Sequence, residues 1–296
     1  MCKLQSPQIA ILMATYNGEK YLKDQIESLY AQTVSGWHLY VRDDGSQDAT
    51  IDIIKSYMAN HSNITLIEDK LGGLGTRDQF MRLLKIVDAD YFLFCDQDDV
   101  WFNDKIEKTL NKMREIEKLF PKDAILIGSD CAMCGPDLEV INPSCWDHLR
   151  IDPDKFLTKD GIYCYPFVTG ASMILNKKVK EILPPFPNGL PYNRPMYDWW
   201  VLINTFKRGH VVLLKEPTRF YRQHNSNVSG GVDKLDTSYY SKIRRYGRVV
   251  KANRTRSGVL NILGYSPLRY YFFKQVYLLK MMTYKRKNIS WSRKKS

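Results

Sequence analysis

The first 130 residues alternate short apolar runs with amphipathic segments, and this alternation is the strongest constraint on the fold. Strand-like apolar runs lie at residues 9–14, 39–41, 64–67, 91–95 and 124–128. Segments whose apolar residues recur at helical spacing lie between them, at residues 21–29, 51–58, 80–87 and 106–113. Asp48 and Asn103 precede the second and fourth of these segments and predict helix N-caps. Such alternation predicts an α/β fold with a mostly parallel central sheet covered by helices on both faces.

The second half of the chain has a more mixed pattern. Thr169–Asn176 predicts a strand that starts from a tight glycine turn, and residues 211–214 predict a further strand. A helical pattern begins at about Asp198, whereas the Pro- and Gly-rich segment 184–195 predicts an irregular surface loop.

Polar clusters follow three of the predicted strands at the point where each strand ends. They are TYNG (residues 15–18), RDDGS (42–46) and CDQDD (95–99). In open α/β sheets, ligands bind beyond the carboxyl ends of the strands. We therefore expect the three clusters to converge on one ligand-binding rim.

The stretch FCDQDDVW (residues 94–101) places Asp96, Asp98 and Asp99 directly after a predicted buried strand. Like charges this close repel one another unless a cation or hydrogen-bond donors compensate them. The Asp96-Gln97-Asp98 spacing suits a hard cation such as Mg²⁺ or Mn²⁺, which commonly keeps positions open for substrate phosphates. The alternative is that these residues cap the following helix, but one aspartate would suffice for that.

Two other polar positions leave both a structural and a functional interpretation open. Asp43-Asp44 suits a turn that leads into a helix, and it equally suits a carboxylate that accepts hydrogen bonds from a nucleotide base or ribose. Arg77 follows LGGLG (residues 71–75), whose glycine spacing does not match a dinucleotide fingerprint. Arg77 is expected either to contact a phosphate or to be solvated.

The charge is distributed unevenly along the chain. Of the 44 Lys and Arg residues, sixteen lie between Lys242 and Ser296, where none of the 32 Asp and Glu residues is found. The body is therefore mildly acidic and the tail strongly basic, which predicts an anionic partner for the tail, either a membrane surface or nucleic acid. Aromatic and aliphatic residues interleave with the basic ones, a pattern that suits helices lying in a membrane interface. The alternative is a helical appendage packed on the body.

The chain begins without an apolar signal region, and no stretch approaches the ~18 uncharged apolar residues of a membrane-spanning helix. We therefore expect a cytoplasmic protein. Of the six cysteines, the pair Cys131 and Cys134 has the spacing of half a zinc site, but no second close pair completes it. Small buried thiols are the favoured interpretation.

At the level of the whole chain, the motifs resemble the nucleotide-sugar-dependent glycosyltransferases of family two, which have the GT-A fold. Over about the first 110 residues the resemblance is carried by ATYNGEKYLKDQIESLYAQT (14–33), VRDDGSQDAT (41–50) and FCDQDDVW (94–101). VTGASMIL (168–175) and MYDWW (196–200) extend it, and FYRQHNSNVSG (220–230) is similar to the subgroup of rhamnosyltransferases of surface polysaccharide synthesis.

The resemblance implies roles at the nucleotide end of the site. Thr15, Tyr16 and Asn17 would line the nucleotide pocket, and Asp43 or Asp44 would recognise the base or ribose. It further implies a GT-A catalytic domain over residues 1–231, with a Rossmann-like nucleotide-sugar-binding half at 1–110 and an acceptor-binding half at 111–231. Residues 232–296 would be a basic, amphipathic helical extension.

The resemblance also implies the chemistry. Asp96 would face the ribose or a metal-bound water, and Asp98 would ligate the Mg²⁺ or Mn²⁺ that bridges the diphosphate. His224 occupies the position of a histidine near the metal, and Asp198 that of the catalytic base. The family often has a Glu-Asp pair there, and Tyr197 replaces its first member.

The leading hypothesis is an inverting, metal-dependent transfer from a nucleoside diphosphate sugar, dTDP-rhamnose or a UDP-sugar. The acceptor would be a saccharide or a lipid-linked glycan of the cell surface, with the enzyme attached peripherally to the inner face of the membrane and without a nucleic-acid partner. One rival is a nucleotidyltransferase, which would normally carry a Gly-rich basic loop where this chain has TYNGEKY (15–21). The other rival is a non-catalytic nucleic-acid-binding protein, against which the acidic body argues.

Overall fold

The computed structural model describes residues 8–69, 71–186, 196–224, 260–261 and 264–284. The strands are β1 (Ile9–Thr15), β2 (Trp37–Asp43), β3 (Ile64–Leu66), β4 (Tyr91–Asp96), β5 (Val100–Trp101), β6 (Ile125–Cys134), β7 (Val140–Asn142), β8 (Met173–Asn176) and β9 (His210–Arg222). The helices are α1 (Leu22–Tyr30), α2 (Thr50–Asn60), α3 (Gly75–Ile86), α4 (Lys105–Leu119), α5 (Cys145–His148), α6 (Pro153–Phe156), α7 (Lys159–Cys164), α8 (Lys177–Ile182), α9 (Tyr197–Arg208) and α10 (Pro267–Met282).

The strands of the described residues form one sheet in the order β3-β2-β1-β4-β8-β6-β9-β5, with β7 beside β6. β3, β2, β1 and β4 run parallel, as the alternating pattern predicted. Beyond β4 the sheet is mixed, because β8 is antiparallel to both neighbours and β5 is antiparallel to β9. The predicted strand Thr169–Asn176 in fact begins with a 3-10 turn at Gly170–Ser172, so only its last four residues form β8. The direction of a strand depends on the path of the segments that connect it to its neighbours. The periodicity of the sequence does not encode that path.

Helices cover both faces of the sheet, and the two cores divide the side chains of β1 between them. Ala10 and Leu12 pack with α3, α7 and α9 on one face. Ile9, Ile11 and Met13 pack with α1, α2 and α4 on the other. Successive side chains of a strand point to opposite faces, so a strand buried on both faces is a continuous apolar run.

The parallel register places the polar residues at one edge. Thr15 lies opposite Asp43 at the ends of β1 and β2, and Ala14 lies opposite Asp96 at the end of β4. The predicted convergence of the three polar clusters therefore follows from strand register.

The predicted helix caps differ in detail from the structure. Asp48 accepts a hydrogen bond from the Thr50 backbone at 3.0 Å, but it is not the N-cap of α2, which is Ala49. Asn103 does not cap α4, because the N-cap residue is Asp104. The Asn103 carbonyl instead accepts a hydrogen bond from the backbone of Thr33, which ties this connection to the end of α1.

α10 packs on the body of the protein and contributes to the same core. Tyr270 and Tyr277 are buried there, with 0% and 3% of their surfaces exposed. Arg269 forms an ion pair with Asp160 of α7 at 2.6 Å, and the Tyr277 hydroxyl bonds to Thr158. Among the described residues, none of the helices has the length and apolar character needed to cross a bilayer. The predicted domain boundary at residue 231 lies outside the described residues.

We expect a deletion in the central sheet to destabilise the protein strongly. Leu93, in the middle of β4, is fully buried, so Leu93→Ala should lower the free energy of unfolding by about 2–5 kcal/mol through lost contacts and a residual cavity. Leu119→Ala is the matched control because Leu119 is 66% exposed, and it should change stability by less than about 0.5 kcal/mol. Urea unfolding followed by circular dichroism measures both, and equal losses would contradict the central place of β4.

Candidate active site

The loops after β1 and β2 are joined by the carboxylate of Asp43. Its Oδ1 accepts hydrogen bonds from the hydroxyls of Thr15 (2.8 Å) and Ser46 (2.5 Å), and its Oδ2 accepts from the backbone N–H groups of Gly45 (2.9 Å) and Ser46 (2.7 Å). A carboxylate has about four acceptor positions, so these four donors saturate it. Asp43 therefore fixes the shape of the rim, and its contact with a nucleotide remains a prediction.

Asp44 also has structural partners. It accepts the backbone N–H groups of Leu74 and Gly75 at 2.7 Å each, at the start of α3, and forms an ion pair with buried Arg42 at 2.9 Å. An acidic group at a helix N-terminus is favoured by the exposed N–H groups and the helix dipole. The turn-and-helix interpretation of Asp44 thus describes its observed contacts.

Tyr16 and Asn17 lie on the loop after β1, where a residue that the sequence analysis overlooked supports them. The amide of Gln97 accepts the Tyr16 N–H at 2.9 Å and donates to the Tyr16 carbonyl at 3.0 Å. A Cβ on Gly18 would lie 2.3 Å from the Gln97 amide oxygen, so this approach requires glycine. Asn17 has a positive φ of 46°, and its side chain accepts the backbone N–H of Gln47 at 2.8 Å. The ring of Tyr16 is 55% exposed at the rim.

Arg77, on the first turn of α3, forms an ion pair with the adjacent Asp78 at 2.7 Å. Its guanidinium also lies 5.1 Å from the centre of the Phe186 ring. Only 13% of the Arg77 side chain is exposed, so Arg77 is not simply solvated. Phosphate contact remains a prediction.

The carboxylates after β4 are close enough to perturb one another. Burial raises the pKa of Asp96, and the charges of Asp99 and Asp98 raise it further, with a smaller contribution from Asp198. The negative charge of the loop is thus incompletely compensated at Asp96. The charges of Asp98 and Asp198 thus both act on Asp96.

Residues of β9 and the segment after it neutralise part of this charge. Asp98 contacts the imidazole Nε2 of His224 at 2.9 Å, and Asp99 forms a buried ion pair with Arg219. Arg222 donates from its Nε to the Asp98 carbonyl at 2.9 Å. The sequence analysis found His224 but not the two arginines. Their spacing in RFYRQH (residues 219–224) was the available signal, because two arginines in a strand-like run require buried partners.

Two of the three predicted metal ligands lie together. Asp98 and His224 are in contact, but across the described residues no three His, Cys, Asp or Glu side chains converge as a ready-made metal site. A complete site of Asp96, Asp98 and His224 is thus not found among the described residues. The donor set still suits a hard cation, since Mg²⁺ is commonly held by one or two carboxylates and completed by substrate phosphates.

Asp198 is a half-buried carboxylate at the start of α9. Its Oδ1 accepts the Trp199 N–H at 2.7 Å, and its Oδ2 accepts the Gly170 N–H at 3.3 Å. Burial raises its pKa to about 6, although the two backbone donors favour the charged form. A carboxylate with a pKa near the working pH suits proton abstraction.

The aromatic neighbours of Asp198 belong to the core. Tyr197 stacks on Phe80 with ring centres 4.3 Å apart. Trp199 and Trp200 are both 97% buried, and their indole N–H groups donate to the carbonyls of Ile162 and Pro184.

The cysteines beyond Cys2 are free and buried within the described residues, in agreement with their interpretation as small core residues. Cys131 and Cys134 lie in β6, and neither belongs to a metal-ligand group among the residues described.

Comparison with known proteins agrees with this geometry. Residues 10–130, which include every predicted site residue of the loops after β1, β2 and β4, match the family model described as Glycosyl transferase family 2. The chain is 27% identical over 250 residues to the dTDP-rhamnosyl transferase RfbG of Shigella flexneri, covering 80% of this chain and 78% of that protein. It is 30% identical over 111 residues to the putative teichuronic acid biosynthesis glycosyltransferase TuaG of Bacillus subtilis, covering 37% of this chain and 43% of that protein.

Solved structures show the same fold. The S. aureus TarS 1-349 structure in complex with UDP-GlcNAc superposes with a TM-score of 0.56 at 18% identity, covering 95% of this chain and 74% of that one. The mannosyltransferase PcManGT of Pyrobaculum calidifontis, in complex with GDP-Man and Mn²⁺, superposes with a TM-score of 0.57 at 14% identity, covering 94% and 70%. The chain is therefore a glycosyltransferase with the GT-A fold, and its residues 10–130 match the family 2 model.

Proposed function

We propose that the enzyme catalyses an inverting, metal-dependent transfer of a sugar from a nucleoside diphosphate to a hydroxyl group of a surface glycan. The observation that supports this proposal is the hydrogen-bond connection of Asp198 to the acidic loop at the carboxyl edge of the sheet, through Gly170 on one side and through Arg219, which contacts Thr169 and Asp99, on the other. Asp198 can take a proton from the acceptor, and the acidic loop can hold a cation that compensates the charge of the leaving group. This division of labour suits a direct displacement.

The donor is proposed to be dTDP-L-rhamnose, with a UDP-sugar as the alternative. Support comes from the relative named as a dTDP-rhamnosyl transferase, with which this chain shares most of its length. The acceptor is proposed to be a saccharide or lipid-linked glycan, in line with the relative named for teichuronic acid biosynthesis.

The nucleotide would lie over the loops after β1 and β2. Thr15, Tyr16 and Asn17 line this edge, and the exposed ring of Tyr16 offers a face for a base. Asp43 and Asp44 hold the loops in shape, and Arg77, on the first turn of α3, is the cation that would contact a phosphate.

Asp98 and His224 are the residues that would hold Mg²⁺ or Mn²⁺, with Asp96 facing it directly or through water. When bound, such an ion supplies Lewis-acid stabilisation of the charge that develops on a diphosphate leaving group. Arg222 donates to the backbone carbonyl of Asp98 and fixes the acidic loop. Gln97 donates to the backbone carbonyl of Tyr16 and fixes the loop after β1.

Asp198 would accept the proton of the acceptor hydroxyl as that oxygen attacks the anomeric carbon. Its two backbone donors orient the carboxylate, and its raised pKa makes it a stronger base than an exposed aspartate. Direct displacement forms no covalent enzyme intermediate, so no Ser or Cys nucleophile is needed.

The donor and metal roles are tested together by thermal shift and by transfer assays with a panel of nucleotide sugars. With Mn²⁺ present, dTDP-rhamnose should raise the melting temperature and support transfer, and excess EDTA should abolish both. Asp98→Ala should remove transfer and donor hydrolysis, a loss of at least about 100-fold, because the leaving charge is then uncompensated. Asp154→Ala is the control, since Asp154 is exposed and pairs with Lys215. Full activity in EDTA would refute the metal role, and stabilisation by no donor would refute the function.

The base role predicts a defined pH dependence. Asp198 acts deprotonated and its pKa is raised to about 6, so kcat/KM should be at its plateau above that value and fall as the pH drops through about 6. Asp198→Asn should lower kcat by about 10²–10⁴-fold and leave donor affinity within about twofold, because it removes the base but keeps the shape. A variant with wild-type kcat, or one that loses donor binding in titration calorimetry, would contradict the assignment.

We further propose that the enzyme is attached peripherally to the inner face of the cell membrane through its basic tail. One face of α10 packs on the body, and the opposite face exposes apolar side chains, among them Leu268 (84% exposed), Phe272 (64%), Leu279 (60%) and Met282 (66%). Their spacing places them on one side of the helix. The surrounding sequence carries sixteen basic and no acidic residues from Lys242 onward, so the matching partner has an apolar interior and an anionic surface.

Vesicle flotation tests this attachment. The protein should float with vesicles containing phosphatidylglycerol and less with pure phosphatidylcholine, and the triple variant Leu268→Ser, Phe272→Ser and Leu279→Ser should reduce binding at least about tenfold, given ~0.8 kcal/mol per buried CH₂. Leu119→Ser, at an exposed site on α4, should bind like the wild type. Binding that the triple variant retains but high salt removes would assign the attachment to charge alone, and contradict a role for the exposed face of α10.

A further inference from the structure

Arg219 lies beneath the acidic loop with only 1% of its side chain exposed. Its Nη1 donates to the carboxylate of Asp99, which is equally buried and also accepts the backbone N–H of Arg222 at 3.3 Å. Asp99 directly follows Asp98 in the loop after β4. Arg219 therefore holds the acidic loop from the side opposite the rim.

The remaining nitrogens of Arg219 reach the other half of the site. Nη2 donates to the hydroxyl of Thr169 at 2.8 Å, and Nε donates to the hydroxyl of Ser172 at 3.4 Å. These two residues bracket the 3-10 turn Gly170–Ser172, and their hydroxyls are 3.2 Å apart. The rigid guanidinium fork thus joins two segments 70 residues apart in the sequence.

The 3-10 turn in turn holds Asp198. The Gly170 N–H donates to the Asp198 carboxylate at 3.3 Å. A Cβ on Gly170 would lie 2.0 Å from the Tyr197 hydroxyl, so the turn fits closely against the residue that precedes Asp198. The Lys105 ammonium donates to the Ala171 carbonyl and fixes the far side of the turn.

Stability alone is a weak explanation for this buried pair. Replacing a buried ion pair with apolar residues is often neutral or stabilising, because desolvating two charges offsets their attraction. Lys105 cannot substitute for Arg219 as the permanent countercharge, since burial and the neighbouring Arg219 lower the pKa of Lys105 to about 7. What Arg219 provides and an apolar residue could not is a directional connection between the acidic loop and the turn under Asp198.

We propose that Arg219 is a positioning residue that sets the separation and orientation of Asp198 relative to the acidic loop, acting through Asp99 on one side and Thr169 on the other. The inference rests on the proposed function, because it takes Asp198 as the base. It adds a residue that the motifs of the first half do not contain.

Two variants test it, and both are assayed for transfer, donor affinity and pH dependence. Arg219→Lys keeps the charge but loses the fork, and Thr169→Val keeps the shape but removes the hydroxyl that links the fork to the turn. Misplacing a base by about 1 Å costs about 10²-fold, so kcat should fall about 100-fold in Arg219→Lys and about tenfold in Thr169→Val. Donor affinity by calorimetry should change less than about threefold in Thr169→Val, because that substitution leaves the contact of Arg219 with Asp99 of the acidic loop in place.

The pH profile distinguishes positioning from general damage. Thr169→Val loosens the turn, which weakens the Gly170 N–H donation to ionised Asp198 and raises the pKa of that carboxyl. The acidic limb of the kcat/KM profile should therefore move to higher pH. Thr205→Val is the matched control, since Thr205 is a fully buried threonine whose hydroxyl donates within α9, and it should lower the melting temperature without moving kcat or the pH profile.

Variants that lose only melting temperature, as the Thr205 control does, would overturn the proposal. If Arg219→Lys does not fold, Thr169→Val decides alone, because it removes no charge. A wild-type enzyme that transfers no sugar refutes the proposed function, whereas an active wild type with unaltered variants refutes only the positioning role of Arg219.

Discussion

Like-charge repulsion at one edge of the sheet is the constraint on which the arrangement of the site depends. Asp96 is the last residue of β4, Asp98 and Asp99 follow it closely, and the charge of Asp198 also acts on Asp96. Such a cluster is costly unless positive groups compensate it. The protein supplies part of that compensation from β9, whose Arg219 pairs with Asp99 out of contact with water.

Compensation is partial, and its distribution indicates which part of the rim is prepared for a ligand. Protein donors compensate the charges of Asp43 and Asp99, and these contacts fix the shape of the two loops. Asp96 is the exception, because burial and the neighbouring carboxylates of Asp99 and Asp98 raise its pKa more than the charge of Arg219 lowers it. Asp43 and Asp99 are thus paired with protein donors, whereas the charge of Asp96 is only partly compensated. This arrangement suits a cation that arrives with its substrate, because Mg²⁺ prefers sites completed by phosphate oxygens.

The predictions from sequence were most accurate where the interactions are local or follow from strand register. The four parallel strands and α1 were found at nearly their observed bounds, because alternation of apolar runs and amphipathic segments encodes both. The convergence of Thr15, Asp43 and Asp96 followed from the rule that parallel strands end at one edge. The caps assigned to Asp48 and Asn103 were each wrong by one residue, and the mixed character of the sheet beyond β4 was missed.

The amino-acid sequence by itself determined the sheet-and-helix alternation, the edge where ligands bind and the acidic motif, because each is written in spacing along a few consecutive residues. Only the tertiary structure decided which charges meet. Arg219 reaches Asp99 across 120 residues, and Gln97 reaches Tyr16 across 81. Such partners are selected by how β9 and β4 are placed in one sheet, and no local pattern specifies that placement. The sequence of α10 likewise suited either a packed helix or an exposed one. In the structure its buried tyrosines lie on one face and its exposed leucines lie on the opposite face.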